Sequence, residues 1–148
     1  MIECQRAIEL GPSCVFCNFC VADTLVRSGK PQEAIGFVEK AARLDPRGGV
    51  VWDVVRGEAY VVMGRYADAI PIFKAYSVLY PNYSVWVHVW LTVAYAEVGR
   101  WEEARAEAPE IMRISPHFSL KAEKERLALQ DQTLEERYLN DLRKAGLK

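Results

Sequence analysis

The sequence repeats itself every 35 residues, and that period constrains the fold more than any other feature. Gly29, Gly64 and Gly99 are spaced by 35, as are Ala34, Ala69 and Ala104, and Pro46, Pro81 and Pro116. Pro12 extends the last series backwards at a spacing of 34. The residues between the markers also align. Gly29-Lys-Pro-Gln-Glu-Ala34-Ile matches Gly64-Arg-Tyr-Ala-Asp-Ala69-Ile and Gly99-Arg-Trp-Glu-Glu-Ala104-Arg. Ala59-Tyr60 and Ala94-Tyr95 precede two of the glycines, and Leu44-Asp-Pro46, Leu79-Tyr-Pro81 and Ile114-Ser-Pro116 close the units. A period of this length implies a stack of supersecondary units, each burying its apolar face against its neighbours.

Each unit reads as two antiparallel helices. The first helices are expected at Val15–Ser28, Val50–Met63 and Val85–Val98, and the second at Pro31–Leu44, Tyr66–Leu79 and Trp101–Ile114. The glycine sits at the turn, where a left-handed backbone conformation ends the first helix at little steric cost. The alanine allows close approach of two helices. The closing proline ends the second helix, because its ring and missing N–H prevent continuation. Pro31 falls near a first helical turn, where proline is tolerated. Pro71 and Pro109 fall inside second helices and are expected to kink them.

These residues resemble the tetratricopeptide-repeat (TPR) family, a helix-turn-helix repeat of nominally 34 residues. The likeness spans about Met1–Pro116. It departs at the usual tryptophan position, which holds Asn18, Asp53 and His88, with Trp52 and Trp86 nearby. The expected fold is an all-α TPR superhelical solenoid of antiparallel helix pairs. It divides into the second helix of a leading half-repeat (1–13), three full repeats (14–46, 47–81 and 82–116) and a helical C-terminal cap (117–148). Glu3–Leu10 would form the leading helix. Its missing partner suggests a fragment of a longer solenoid, or an end covered by another subunit.

In the cap, Ser119–Gln130 reads as one helix. Thr133-Leu-Glu-Glu136 resembles a capping box that opens a second. That helix places Leu134, Tyr138, Leu139, Leu142 and Ala145 on one stripe. Glu135, Arg137, Asp141, Arg143 and Lys144 fall on the other face, with Arg137 and Asp141 spaced for an ion pair. The Pro116–Leu120 junction and the Glu136–Leu147 stretch resemble the C-terminal ends of bacterial class III adenylate/guanylate cyclase-like proteins. That resemblance implies a regulatory TPR region following a catalytic domain. No cyclase catalytic motif occurs in the 148 residues.

The TPR resemblance implies a concave surface lined mainly by first helices. It places Phe16, Phe19, Asp23, Val26 and Arg27 there, with Val51, Val54, Glu58, Val61 and Val62, and then Trp86, Val89, Val93, Ala96 and Glu97. Such an apolar surface either packs within the solenoid or forms a groove for a partner's helix or peptide, with the aromatic residues as anchors. Self-association could also fill it, through the leading half-repeat or the Leu134–Ala145 helix. A chaperone-type carboxylate clamp is not expected, because Phe19, Asp23 and Val54 would meet an anion with apolar walls and negative charge.

The expected function is therefore protein–protein interaction, within a larger bacterial signalling protein, and not catalysis. Cys14-Val-Phe-Cys17-Asn-Phe-Cys20 supports an alternative, a metal- or redox-active thiol protein. On a helix, however, the three thiols spread over about 120° and do not converge on one ion. They are therefore read as reduced, buried thiols. His88 and His117 lack a ligand cluster, and Glu102, Glu103, Glu135 and Glu136 suit helix N-termini. No metal, cofactor or catalytic constellation is expected. A formal net charge of −1, with 51% hydrophobic and 26% charged residues, gives no cationic excess for nucleic acid. No apolar run reaches the roughly 18–20 residues of a membrane span, and no signal-peptide pattern opens the chain. The expected location is the cytoplasm.

Overall fold

All three repeat glycines adopt the left-handed conformation, with φ of 74°, 74° and 79° at Gly29, Gly64 and Gly99. Each closes the same motif. The amide of Gly29 donates to Val26 O and that of Lys30 to Leu25 O. The amides of Gly64 and Arg65 repeat this on Val61 and Tyr60, and those of Gly99 and Arg100 on Ala96 and Tyr95. This double bond satisfies the last carbonyls of a helix and reverses the chain.

A computed structural model describes residues 6, 13–82 and 84–148. The expectation for Glu3–Leu10 as a whole falls outside that range. The described chain forms eight α-helices: α1 Val15–Arg27, α2 Pro31–Leu44, α3 Gly49–Val62, α4 Tyr66–Leu79, α5 Val85–Glu97, α6 Trp101–Ile114, α7 Leu120–Leu127 and α8 Gln132–Lys144. A 3₁₀ turn at Pro46–Gly48 precedes α3. Each helix from α1 to α6 packs on the next, so three helix pairs stack in sequence order. No strand occurs among the described residues.

The period also organises the core. Ala34, Ala69 and Ala104 are fully buried. Val38, Phe73 and Ala108 are buried at a second repeated position, and Ala41, Tyr76 and Ile111 at a third. At Gly57 an added Cβ would lie 2.8 Å from the buried Phe73 ring. Glycine there lets α3 and α4 approach closely despite its cost inside a helix. The valine-rich α3 and α5 are β-branched stretches that disfavour helix locally. Burial decides instead: from Val87 to Ala96, every α5 residue is buried.

Pro71 and Pro109 lie on exposed positions inside α4 and α6. Each removes one backbone hydrogen bond, yet each helix continues as a single element.

The cap departs most from expectation. Its first helix is shorter, Leu120–Leu127, and ends in the left-handed conformation at Ala128. The Thr133–Glu136 box does not open α8. Asp131 caps it instead, accepting from the amides of Thr133 and Leu134. The stripe on α8 is apolar and inward as expected, with Tyr138, Leu139 and Leu142 buried. Its supposed outer face is not uniformly solvated. Glu135 is buried and accepts from the Leu129 amide, and Arg137 pairs with Glu97 at 2.7 Å rather than with Asp141.

These contacts show that α7 and α8 do more than close the third repeat. The segment runs back along the array from the third repeat to the first. Arg137 meets Glu97 of the third repeat and Tyr66 of the second. The Gln130 amide donates to Arg27 O of the first, 3.1 Å away. The C-terminal segment is thus a strap along the array.

The reading of the thiols also needs correction. Cys14 and Cys17 form a disulfide. Cys14 precedes α1 as its N-cap, in extended conformation, so the angular separation of two helical residues does not apply. Its Cα lies 5.3 Å from that of Cys17, within bridging range. Cys20 lies outside the bridge.

Candidate functional site

Residues of α1, α3 and α5 and the strap line an open cavity of about 620 Å³. That volume lies within the usual range of about 300–1,000 Å³ for ligand pockets. Phe16, Phe19, Asp23 and Arg27 line it from α1, and Val51, Trp52, Val54, Val55 and Glu58 from α3. Tyr76 contributes from α4, Ser84 and Trp86 from the start of α5, and Arg126 from α7.

One wall is aromatic. The Phe16 and Phe19 rings are stacked 6.4 Å apart, and Phe19 meets Trp52 edge-on at 5.6 Å. The Trp52 indole N–H donates to Asp45 O at 3.2 Å, which fixes that ring. Opposite, the Arg126 guanidinium lies 3.9 Å from the Trp86 ring centroid, a cation–π contact.

The polar groups form a chain through the core. Glu123 is almost wholly buried and accepts two bonds from Arg126, at 2.7 and 2.8 Å, and one from Tyr138 Oη at 2.8 Å. Burial and the Glu123 carboxylate hold the Tyr138 phenol well above its ordinary range. The Tyr138 ring packs edge-on against Trp90 at 5.0 Å, and the Trp90 indole N–H donates to Glu58 Oε1 at 2.9 Å. Burial, reinforced by the Asp23 charge, pushes the Glu58 carboxyl up to about 7, against the opposing pull of Arg126 and Arg27. On α1, Asp23 and Arg27 pair at 3.1 Å, and Arg27 Nη1 donates to Arg126 O at 2.6 Å.

The structure separates the expected inner-surface residues into three groups. Phe16, Phe19, Asp23, Arg27, Val51, Val54, Glu58 and Trp86 share the cavity. Val26, Val61, Val89, Val93 and Ala96 do not: they are buried between helices and present nothing to a ligand. Val62 lines a separate cleft of about 270 Å³ beside Leu134 and Arg137, and Glu97 is taken up by Arg137. The cavity thus uses a narrower helical face than the expected one. Trp52, Val55, Tyr76, Ser84 and Arg126 complete it from outside the expected set. Trp52 neighbours a foreseen position, whereas Arg126 lies outside the period and no repeat alignment could place it.

Among the described residues, no group of three or more His, Cys, Asp and Glu is arranged to hold a metal ion. His88 instead contacts Glu107, with Nδ1 to Oε2 at 2.7 Å. No described helix is long and apolar enough to cross a membrane.

No family model matches the chain, and no curated protein matches it by sequence. Its fold does match solved structures. One, described as the crystal structure of MamA, superposes with a TM-score of 0.64 at 20% identity, covering 96% of this chain and 82% of that one. Another, residues 41 to the end of MamA from Desulfovibrio magneticus RS-1, gives 0.64 at 14% identity, covering 97% and 83%. The fold is a TPR-type helical solenoid. The likeness of the tail to cyclase-like proteins gains no support from these comparisons.

Proposed function

We propose that this chain is a protein-interaction scaffold whose ligand is a peptide or helix with apolar side chains, held in the cavity between the first helices of the three repeats and the strap. The observation that carries this reading is the exposed aromatic wall. Phe16 is 66% exposed and Trp86 37%, although both are large apolar side chains. Aromatic side chains of this kind anchor interfaces by burying large area at low entropic cost. The MamA-like solenoid fold is consistent with a binding surface built on stacked helix pairs, although fold alone does not specify the ligand.

Selection of phage-displayed peptides on the intact protein tests the reading. Peptides that bind the wild type and lose binding to a Phe16→Asp/Trp86→Ser double variant support it. Peptides that bind both proteins equally place recognition elsewhere and sink it.

Self-association is the second reading, because the same exposed Phe16 could seat against another copy. Sedimentation velocity decides: a concentration-dependent dimer abolished by Phe16→Asp supports it, and a monomer at all concentrations rejects it. Docking through the apolar stripe of α8 is disfavoured, since the chain's own α5 already covers that stripe. The thiol-based alternative is weakened by the Cys14–Cys17 bridge, which leaves neither sulfur as a thiolate ligand in this state.

A further inference from the structure

The cavity is apolar apart from four charged groups, and three of those have close ionic partners. Asp23 and Arg27 pair with each other. Arg126 is held by two bonds to Glu123 and lies against Trp86. Glu58 is the exception. It is 8% exposed and lines the cavity, and its sole hydrogen bond among the described residues is to Oε1, from the Trp90 indole. No cation lies within ion-pair distance of it among those residues. Burying a carboxylate without a counter-charge is costly.

The groups around Glu58 come from five helices. Asp23 and Arg27 lie on α1, Tyr76 on α4, Trp90 on α5, Arg126 on α7 and Tyr138 on α8. Arg27 and Arg126 act on Glu58 only from a distance, being paired with Asp23 and Glu123. Among the described residues, Glu58 is thus the one charged group of the cavity left for a ligand's cation to complement.

We propose that the cavity recognises a basic side chain: the ligand is an apolar peptide segment carrying one lysine or arginine, whose cation seats against Glu58 while the flanking apolar side chains pack on Phe16, Phe19 and Trp86. This rests on the peptide-binding reading above and names the partner's chemistry. An acidic ligand is disfavoured, because both guanidiniums are engaged and an added carboxylate would face Asp23 and Glu58. Seating a cation favours ionised Glu58, so binding releases a proton near neutrality.

The test uses phage-displayed random peptides selected in parallel on wild type and on Glu58→Gln. Glutamine keeps a side-chain oxygen to accept from Trp90, so the fold is retained, which thermal melting verifies. The expected result is that wild type enriches peptides with one Lys or Arg flanked by apolar residues and that Glu58→Gln loses this preference. Wild-type affinity for a synthetic peptide of that composition should rise about tenfold from pH 6 to pH 8, following the ionised fraction of Glu58. Apolar peptides with no basic preference, selected equally by both proteins and still dependent on Phe16 and Trp86, would overturn this inference and leave the groove intact. Acidic peptides would overturn it in favour of the guanidiniums. Peptides indifferent to Phe16 and Trp86 would remove both readings together.

Discussion

The first and third repeats start alike and then diverge: Phe16 and Trp86 both line the cavity, but the equivalent positions further along the two helices do not share a fate. Phe16 and Trp86 are counterparts, as are Phe19 and Val89, and Asp23, Glu58 and Val93. In the first repeat Phe16 faces the cavity and Asp23 sits half-buried beside Arg27. In the third, Val89 and Val93 are sealed in the core, because the strap folds over α5 and packs Tyr138 against Trp90. The middle repeat lies between them: Glu58 reaches the cavity yet is almost buried. An inner surface that repetition makes equivalent is thus graded by what covers it. The open part of that surface lies between the aromatic side chains of α1 and the strap's own Arg126, which rests on Trp86.

The sharpest way to break this comparison is to exchange side chains between equivalent positions. Val93→Asp places an unpaired charge under the strap and should cost on the order of 4 kcal/mol or more, enough to unfold a marginal domain. Asp23→Val loses only a half-exposed ion pair and should change stability by less than about 1 kcal/mol. Urea denaturation measures both. Equal effects would show that the two repeats do not differ as described.

Removing the strap's main contact should have the next largest effect. Tyr138→Ala deletes a buried ring packed on Trp90 and strips Glu123 of a hydrogen bond. It should cost about 3–5 kcal/mol in the same assay.

Acidity probes the middle repeat. A carboxylate raised from 4.5 to about 7 by folding takes up protons on folding. The stability it lends is therefore full below about pH 4.5 and is lost as pH rises through about 7. The loss is about 3 kcal/mol in all. Asp141 shifts the same way, to about 6, through burial and its hydrogen bond with Glu97, and steepens the decline. Glu58→Gln should flatten the profile between pH 5 and 7.5. An unchanged slope would place the titration elsewhere.

The smallest effect is expected at the open end. Phe16→Ala should alter stability by less than about 0.5 kcal/mol, because the ring is mostly solvated. Circular-dichroism melts should barely move, whereas peptide binding should weaken.

Much of the architecture was legible before any coordinates. All three second helices match their expected bounds, and the first helices differ by a residue or so. The reason is that Gly29, Gly64 and Gly99 act locally: a left-handed turn needs no distant partner to exclude most other residues. The site was half legible. Phe16, Phe19, Asp23 and Glu58 follow from their helix face, but Val26, Val89 and Val93 share that broad face and are buried. A helical period alone gives direction, not the depth of the neighbour.

The strap was the least legible part. The helical stripe of α8 announced that it must bury an apolar face, but not against what. Arg126 could be matched to Glu123 by spacing, but its approach to Trp86 spans forty positions and depends on the turn at Ala128. The period, carried by local turn chemistry and close-packing alanines, determined a solenoid of helix pairs. Tertiary structure decided which repeats stay open, because burial depends on contacts between residues far apart in the chain that no local pattern encodes. Glu58 shows the division: its place on the inner helix was written in the repeat, while its burial without a cation was decided only when the strap committed Arg126 to Glu123.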